Sequence, residues 1–280
     1  MTERSYDAVL FDLDGTLLNG DEVVGTENLA AVHRLRDEGV QVLIATGRSV
    51  DSTRSVVEEV GLEGPIVTFN GAVVWDYAEN RAIEERTLNQ RIVDRCHAYR
   101  RETGHMAMFM STTNRLCLVP PDDPHHRALS GLSGVEYVDE ARLESEQYIV
   151  RATFFADRGT DSASYAEHIQ QFIKRPIYTT HFNLSILVRH RDSPFVVVDV
   201  HPPMLGKAEA LRFLHDHHGI PASRVVAFGD ADNDVPMLAH AGLGIAMGNA
   251  DSAVQSIADR VIGDHTTTAI ADTLNELFPA

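Results

Sequence analysis

Cysteine is nearly absent from this 280-residue chain, with Cys96 and Cys117 the only two. No CxxC pair or Cys/His zinc spacing accompanies them, which excludes a disulfide framework and a structural zinc centre and leaves two free thiols in a reducing compartment. Basic residues are also scarce. Lys and Arg total 24 against 41 Asp and Glu, a formal charge of −17, which repels a phosphate backbone and argues against nucleic acid as a partner. Long apolar runs are missing as well. No stretch approaches the ~20 apolar residues that cross a bilayer, and MTERSYDAVLF at the N-terminus carries no long apolar segment. No membrane partner is expected, and the expected location is cytoplasmic. There is no internal repeat or low-complexity segment, and oligomeric state is not legible.

What is present is enough apolar material for a sizeable core: 44% of residues are hydrophobic, in a chain long enough for one large domain or two smaller ones. Short apolar runs at 7–11, 40–46, 65–70, 224–230 and 243–248 alternate with helical patterns at 26–39, 49–61, 207–219 and 233–242, each closing on Gly. Continuous apolar strands alternating with helices predict a parallel sheet covered on both faces. The middle reads differently, with strands and turns across 105–120, 147–157 and 182–200 and helices at 89–103 and 161–174. The fold class expected is therefore α/β, a Rossmann-like doubly wound parallel core formed by 1–82 and 190–280, with an α+β domain inserted at 83–189.

The chemistry concentrates where apolar runs stop. Ala8 to Phe11 run straight into Asp12 and Asp14, and Gly15 turns the chain at once. Ligands of open α/β sheets bind beyond the carboxyl ends of strands, and residues i and i+2 of an extended segment share a face, so both carboxylates can address one ligand. Two close anions call for a cation, and hard oxygen donors favour Mg²⁺. A second acidic group, Asp230, Asp232, Asn233 and Asp234, ends another strand in GDADND. Helix capping accounts for Asp232 or Asn233 alone; Asp230, directly after the apolar run, reads as a metal ligand. Thr46, Gly47 and Arg48 in ATGRS lead from a strand into a helix, where a hydroxyl and amides can hold an anion, and Lys207 can add a positive charge. Singly these are a cap, a surface charge and a solvated helix residue; their order together gives the functional reading.

FDLDGTLL, ATGR, FNGA at 69–72, GK at 206–207, GDADND and AMGNA at 246–250 together resemble the haloacid dehalogenase superfamily of phosphotransferases, in its Cof-type sugar-phosphatase-like branch with an inserted cap. The resemblance implies a phosphatase of small phosphorylated metabolites, sugar phosphates among them, with Asp12 as the nucleophile that forms an aspartyl-phosphate. It implies Asp14 as the acid and base and Lys207 as a catalytic charge. Mg²⁺ would be held by Asp12, the Asp14 backbone carbonyl and Asp230, with Asp234 direct or through water. Thr46, Gly47 and Lys207 would bind the phosphoryl oxygens and Asn233 would arrange the phosphate or the Asp230 loop. Asn70 and Gly71 match a substrate-contacting motif, although an Asn-Gly turn explains them nearly as well, and Arg48 either reaches the substrate or pairs with a surface acid. Substrate choice is expected in the cap, with MAMFM at 106–110 and SILVRHRD at 185–192 as candidates beside an ordinary core reading.

One segment departs from the family: VIGDHTTTAIADTL carries His265 and three threonines where relatives commonly show an Asn-rich stretch. HDHH at 215–218 suits the C-terminal dipole of a helix better than a metal. GLGIAMG has one residue too many for a dinucleotide fingerprint, and HPPMLGKA lacks the first Gly and final Ser or Thr of a P-loop. A phosphomutase of the same superfamily, or a phospho-accepting regulatory or binding protein, remain the alternative functions.

Overall fold

The computed structural model describes residues 4–62, 64–118, 134–157, 159–186 and 192–279. Strands form at Ala8–Phe11 (β1), Gln41–Ile44 (β2), Pro65–Thr68 (β3), Val73–Asp76 (β4), Arg81–Glu85 (β5), Ala107–Met110 (β6), Arg115–Cys117 (β7) and Val135–Tyr137 (β8). Further strands follow at Arg151–Asp157 (β9), Tyr178–Asn183 (β10), Phe195–His201 (β11), Val225–Gly229 (β12), Leu243–Ala246 (β13) and Arg260–Val261 (β14). The helices are Thr26–Asp37 (α1), Val50–Val60 (α2), Gln90–Thr103 (α3), Glu140–Ser145 (α4), Ser162–Ile173 (α5), Glu209–His218 (α6), Val235–His240 (α7), Ser252–Gln255 (α8) and Ala269–Leu277 (α9). They group into two compact units, one of Met1–Ser49, Thr53–Glu84 and Leu205–Ala280, the other of Val50–Ser52 and Glu85–Met204.

In the first unit five parallel strands lie in the order β14-β13-β12-β1-β2. β1 is interior and wholly buried, which its uninterrupted AVLF requires. Its side chains alternate between two cores. Val9 and Phe11 pack with Val32 and Leu35 of α1, Val57 and Val60 of α2 and Ile270 and Leu274 of α9. Ala8 and Leu10 pack with Leu211 and Leu214 of α6, Leu238 of α7 and Val254 of α8. Burying each such Leu or Val contributes about 1.5–3 kcal/mol, and the two cores fix the sheet between helical layers. Phe11 and Phe228, opposite each other in the β1–β12 register, stack at 5.1 Å between centroids just below the site.

The run at 65–70 differs from the expected parallel strand. β3 touches the main sheet through one parallel bridge, Ala45 to Val67, and otherwise pairs antiparallel with β4 in a separate three-stranded sheet β3-β4-β5. The turn at 69–71 reverses the chain too soon for a helix to cross over. Gly39, Gly61 and Gly219 close their helices with positive φ, but Gly242 does not; it lies against the Ser223 carbonyl, where an added Cβ would sit at 2.1 Å.

The second unit is a six-stranded sheet, β10-β11-β9-β6-β7-β8, antiparallel except for β7–β8. α3 and α5 cover one face: Tyr99, Cys96, Ile169 and Ile173 meet Phe109, Phe154, Val196 and Val198. The excursion from the first unit runs from Glu85 to Met204 rather than from 83 to 189. The difference at its end comes from β11, which reads as a buried strand of either domain and is claimed by its antiparallel ladders with β9 and β10. The expected boundary at 189 and most of SILVRHRD, 187–191, lie outside the described residues, as do 119 and 120 at the end of the 105–120 run. Of MAMFM, Ala107 and Phe109 point into the helix-covered core, so Met108 and Met110 point to the opposite face, also buried.

Candidate active site

The site forms at the carboxyl ends of β1, β12 and β2, all within the first unit. β1 and β12 are paired neighbours about 4.8 Å apart, in a register that sets Phe11 beside Phe228. The Asp12 amide continues that ladder to the Phe228 carbonyl at 3.0 Å. Asp12 and Asp230 therefore leave adjacent strands at the same edge. Immediately beyond, the chain must fold back over Asp230. Gly15 permits this with φ +77°, and a Cβ there would lie 2.3 Å from Asp230 Oδ2. Thr16 donates its hydroxyl to Asp230 Oδ1 at 2.9 Å.

Lys207 crosses from the turn before α6 into this cluster. It is 1% exposed, and its Nζ donates to Asp12 Oδ1 at 2.5 Å and Asp234 Oδ1 at 2.6 Å. Asp234, wholly buried, accepts the amides of Asp230 and Ala231 on its other oxygen at 2.9 and 3.0 Å. Carboxylate oxygens of Asp12, Asp230 and Asp234 all lie within 4.8 Å of one another.

Charge dominates the energetics here. Burial, then the neighbouring Asp234 carboxylate, drives Asp12 well above the ordinary carboxylate range, with Lys207 opposing. Asp230 is pushed up to about 6, again by burial and then by Asp234, with the Thr16 hydrogen bond opposing. Burial alone would discharge Lys207; Asp12 and Asp234 outweigh it and keep the ammonium charged. Three carboxylates, two buried and one half-buried, facing one ammonium leave a surplus of negative charge. A divalent cation matched to hard oxygen donors fits this surplus, which the site's own residues do not balance.

The other anticipated residues surround this cluster. Thr46 is fully buried, and its hydroxyl accepts the Arg48 amide at 3.1 Å while its carbonyl accepts the Asn70 amide at 3.0 Å. Gly47 lies against Asn70, whose Oδ1 would stand 3.1 Å from a Cβ at 47. Asn70 holds φ +55° and accepts the Asn233 side-chain amide on Oδ1 at 3.0 Å. Gly71, at φ +104°, makes room for the Gly206 carbonyl, 2.2 Å from where its Cβ would be. It therefore seats the residue before Lys207, a packing role beyond the anticipated turn. Asp14 and Asp12 part company: Asp12 is buried, whereas the Asp14 side chain is 40% exposed and held by Arg48 through Nε at 2.9 Å and Nη2 at 2.5 Å. Arg48 also meets Glu22 at 3.1 Å.

Three positioning residues escape a strand-end reading. Asn249 donates to the Gly15 carbonyl at 2.8 Å and to Asp230 Oδ2 at 3.3 Å. His265 donates its amide to Asn249 Oδ1 at 3.1 Å, and its Nδ1 meets the Leu18 carbonyl at 2.8 Å. Thr16 is the third. The signals were AMGNA and DGT, where the side chains of Asn249 and Thr16 have no chemistry of their own until the loops meet. The departing segment around His265 thus has a local role, bracing the loop after Asp12.

Known proteins resemble this chain in sequence and in fold. The family model of haloacid dehalogenase-like hydrolases matches residues 9–274. The chain is 30% identical over 96% of its length to the 5-amino-6-(5-phospho-D-ribitylamino)uracil phosphatase YitU of Bacillus subtilis, covering 97% of that relative. It is 29% identical to the pyridoxal phosphate phosphatase YbhA of Escherichia coli, with 97% of each chain covered. In fold it is similar to a haloacid dehalogenase-like hydrolase structure from Bacteroides thetaiotaomicron, with a TM-score of 0.79 at 20% identity over 98% of this chain and 100% of the other. The chain belongs to the haloacid dehalogenase-like hydrolase family, in its Cof-type phosphatase branch with an α/β core and an inserted α+β cap, and is a phosphoric monoester hydrolase.

Proposed function

We propose that this protein is a Mg²⁺-dependent phosphatase that hydrolyses small phosphorylated metabolites through an aspartyl-phosphate on Asp12. The observation that carries the reading is a buried carboxylate, Asp12, in contact with Lys207 and within a few ångströms of two more acids at one sheet edge. Asp12, Asp230 and the Asp14 carbonyl hold the metal in this proposal. Asp234, with one oxygen on Lys207 and the other on two amides, acts on it indirectly. The bound ion supplies charge neutralisation between the nucleophile and the anionic phosphoryl group.

The remaining work belongs to the chain. Thr46 hydroxyl, Gly47 amide and Lys207 ammonium bind the phosphoryl oxygens, with Asn233 and Asn70 holding the loops in register. An Asp12 oxygen attacks phosphorus as the bond to the leaving oxygen breaks, and Asp14 delivers a proton to that oxygen. Water then attacks the phosphoryl group, Asp14 takes its proton, and the Asp12–phosphorus bond breaks to release inorganic phosphate. Arg48, bonded twice to Asp14, orients the acid. The relatives named for ribitylaminouracil phosphate and pyridoxal phosphate support a phosphomonoester of a small, partly heteroaromatic metabolite, with the inserted domain selecting the leaving group. The chain has no helix, among the described residues, long and apolar enough to cross a membrane; a cytoplasmic enzyme acting on a free metabolite is the reading proposed.

Phosphate release from a panel of phosphorylated metabolites, with Mg²⁺ or with EDTA and with Asp12→Asn as the blank, tests this. Release that requires both Mg²⁺ and Asp12 is expected. Rearranged product without phosphate would favour a mutase, and stable phosphorylation of Asp12 without turnover would favour a phospho-accepting regulator.

A further inference from the structure

The excursion into the second unit leaves the first after Glu84 and returns at Leu205. Both points are fastened to helix α6. On the outgoing side, Glu84 accepts Arg212 Nη2 and meets His217 Nε2 at 3.1 Å. On the returning side, the Leu205 amide donates to Glu209 Oε1 at 3.1 Å, and Glu209 Oε2 accepts Arg212 Nε at 2.8 Å. Arg212 Nη1 donates to Asp216 Oδ2 at 2.6 Å. One guanidinium thus holds both ends of the excursion, using the rigid fork of donors that a lysine lacks.

The position of this network gives it more than a fastening role. Between Leu205 and Glu209 lie only Gly206, Lys207 and Ala208, a single tight turn. The Leu205–Glu209 hydrogen bond closes that turn, and Lys207 projects from it to Asp12 and Asp234. Glu209 is itself buried and has Arg212 as its cationic partner. Loss of the guanidinium would remove one of the contacts that hold this buried carboxylate, and with it part of the brace across the Lys207 turn. The network also gives His217, one of the HDHH histidines, a specific carboxylate partner in Glu84.

We propose that Arg212 is a positioning residue: it ties the outgoing strand at Glu84 and, through Glu209, the returning turn at Leu205 to one helix, and so fixes the placement of Lys207. The kinetic half of this proposal rests on the phosphatase reading; the structural half does not. A displacement of about 1 Å far from the reacting atoms can cost on the order of 100-fold in rate, and a partial loosening of one phosphate-binding charge is expected to cost about tenfold.

The test compares wild type with Arg212→Met, Arg212→Lys and Glu84→Gln. Amide hydrogen exchange is read at 83–86 and 205–208, with the β1 and β12 amides as internal controls, and kcat and KM are read on an aryl phosphate with Mg²⁺. Arg212→Met should raise exchange at both segments roughly tenfold without changing β1 or β12, and should lower kcat about tenfold with KM altered less than threefold. Arg212→Lys should recover part of the kcat loss, and Glu84→Gln, which serves if Arg212→Met does not fold, should loosen 83–86. Unchanged exchange at both segments would overturn the anchor. Raised exchange with unchanged kcat would overturn the positioning role. A wild type with no Asp12-dependent turnover would instead sink the phosphatase reading, and exchange alone would then decide the anchor.

Discussion

Replacing Lys207 by Met keeps much of the side chain's bulk and deletes its charge. Lys207 is 1% exposed and stands between Asp12 and Asp234 side chains that are 5% and 0% exposed. The variant leaves two buried carboxylates facing each other with no ammonium between them, and breaking a buried pair from one side costs roughly 3–5 kcal/mol. Against the ~5–15 kcal/mol that holds a typical domain together, that is a large fraction. A divalent cation on the same carboxylates opposes the loss. Because the site gives up a positive charge, Mg²⁺ should bind the variant more tightly than wild type, and each tenfold gain in affinity returns about 1.4 kcal/mol. Urea unfolding of both proteins, in EDTA and in saturating Mg²⁺, reads this directly: the deficit should be largest in EDTA and shrink with Mg²⁺. Phosphate release should fall on the order of 10²–10³-fold, as when one preorganised donor to a developing oxyanion is removed. A variant as stable as wild type within about 1 kcal/mol in EDTA would refute the reasoning, because it would mean that protons, not Lys207, neutralise the cluster.

Three further outcomes can be checked. Asp14→Asn should slow hydrolysis of alkyl phosphates by roughly 10²–10⁴ and of an activated aryl phosphate far less; equal losses on both would assign Asp14 a structural role. Gly71→Ala puts a Cβ 2.2 Å from the Gly206 carbonyl at φ +104°, so it should cost roughly 1–3 kcal/mol from the backbone conformation alone and lower kcat through Lys207; wild-type melting and turnover together would remove the close approach from the account. His97 lies buried in the second unit, stacked on Phe109 at 4.1 Å, and burial, reinforced by Arg100, pushes it down to about 4. A folded value below the unfolded ~6.5 gives stability that is present above pH 6.5 and lost as the pH falls toward 4, about 3 kcal/mol in all. Wild type should therefore lose that much relative to His97→Leu between pH 7 and pH 4 in urea titrations, and parallel pH curves would contradict it.

Most of the core was legible because its strands are short apolar runs ended by a chemical group, and the runs at Ala8–Phe11 and Val225–Gly229 are strands in the structure. The rule about strand ends brought Asp12 and Asp230 to one edge, whereas Lys207 and Asp234 joined them only through the order of the motifs and the resemblance they carry. What could not be read depends on pairing. The residues Phe195–His201 are apolar enough for either unit, and only the ladder partners decide. β3 looked like another parallel strand until the turn at Asn70 sent it back along itself. Asn249, His265 and Thr16 carry side chains common in any loop, and their roles exist only through contacts across long stretches of chain. The split between a buried Asp12 and an exposed, Arg48-held Asp14 was likewise invisible, since the two acids are separated by Leu13 alone.

The parallel pairing of β1 with β12 also sets when the catalyst comes into being. Lys207 follows Asp12 by 195 positions, and Asp230 follows Thr16 by 214. A ribosome must therefore complete the whole inserted domain before Asp12 meets Lys207. Until then β1 is a strand lacking its β12 neighbour and Asp12 an acid without its lysine. The order of strands makes the carboxylate–lysine cluster wait for β12, and a nascent or truncated product that ends before β12 lacks it.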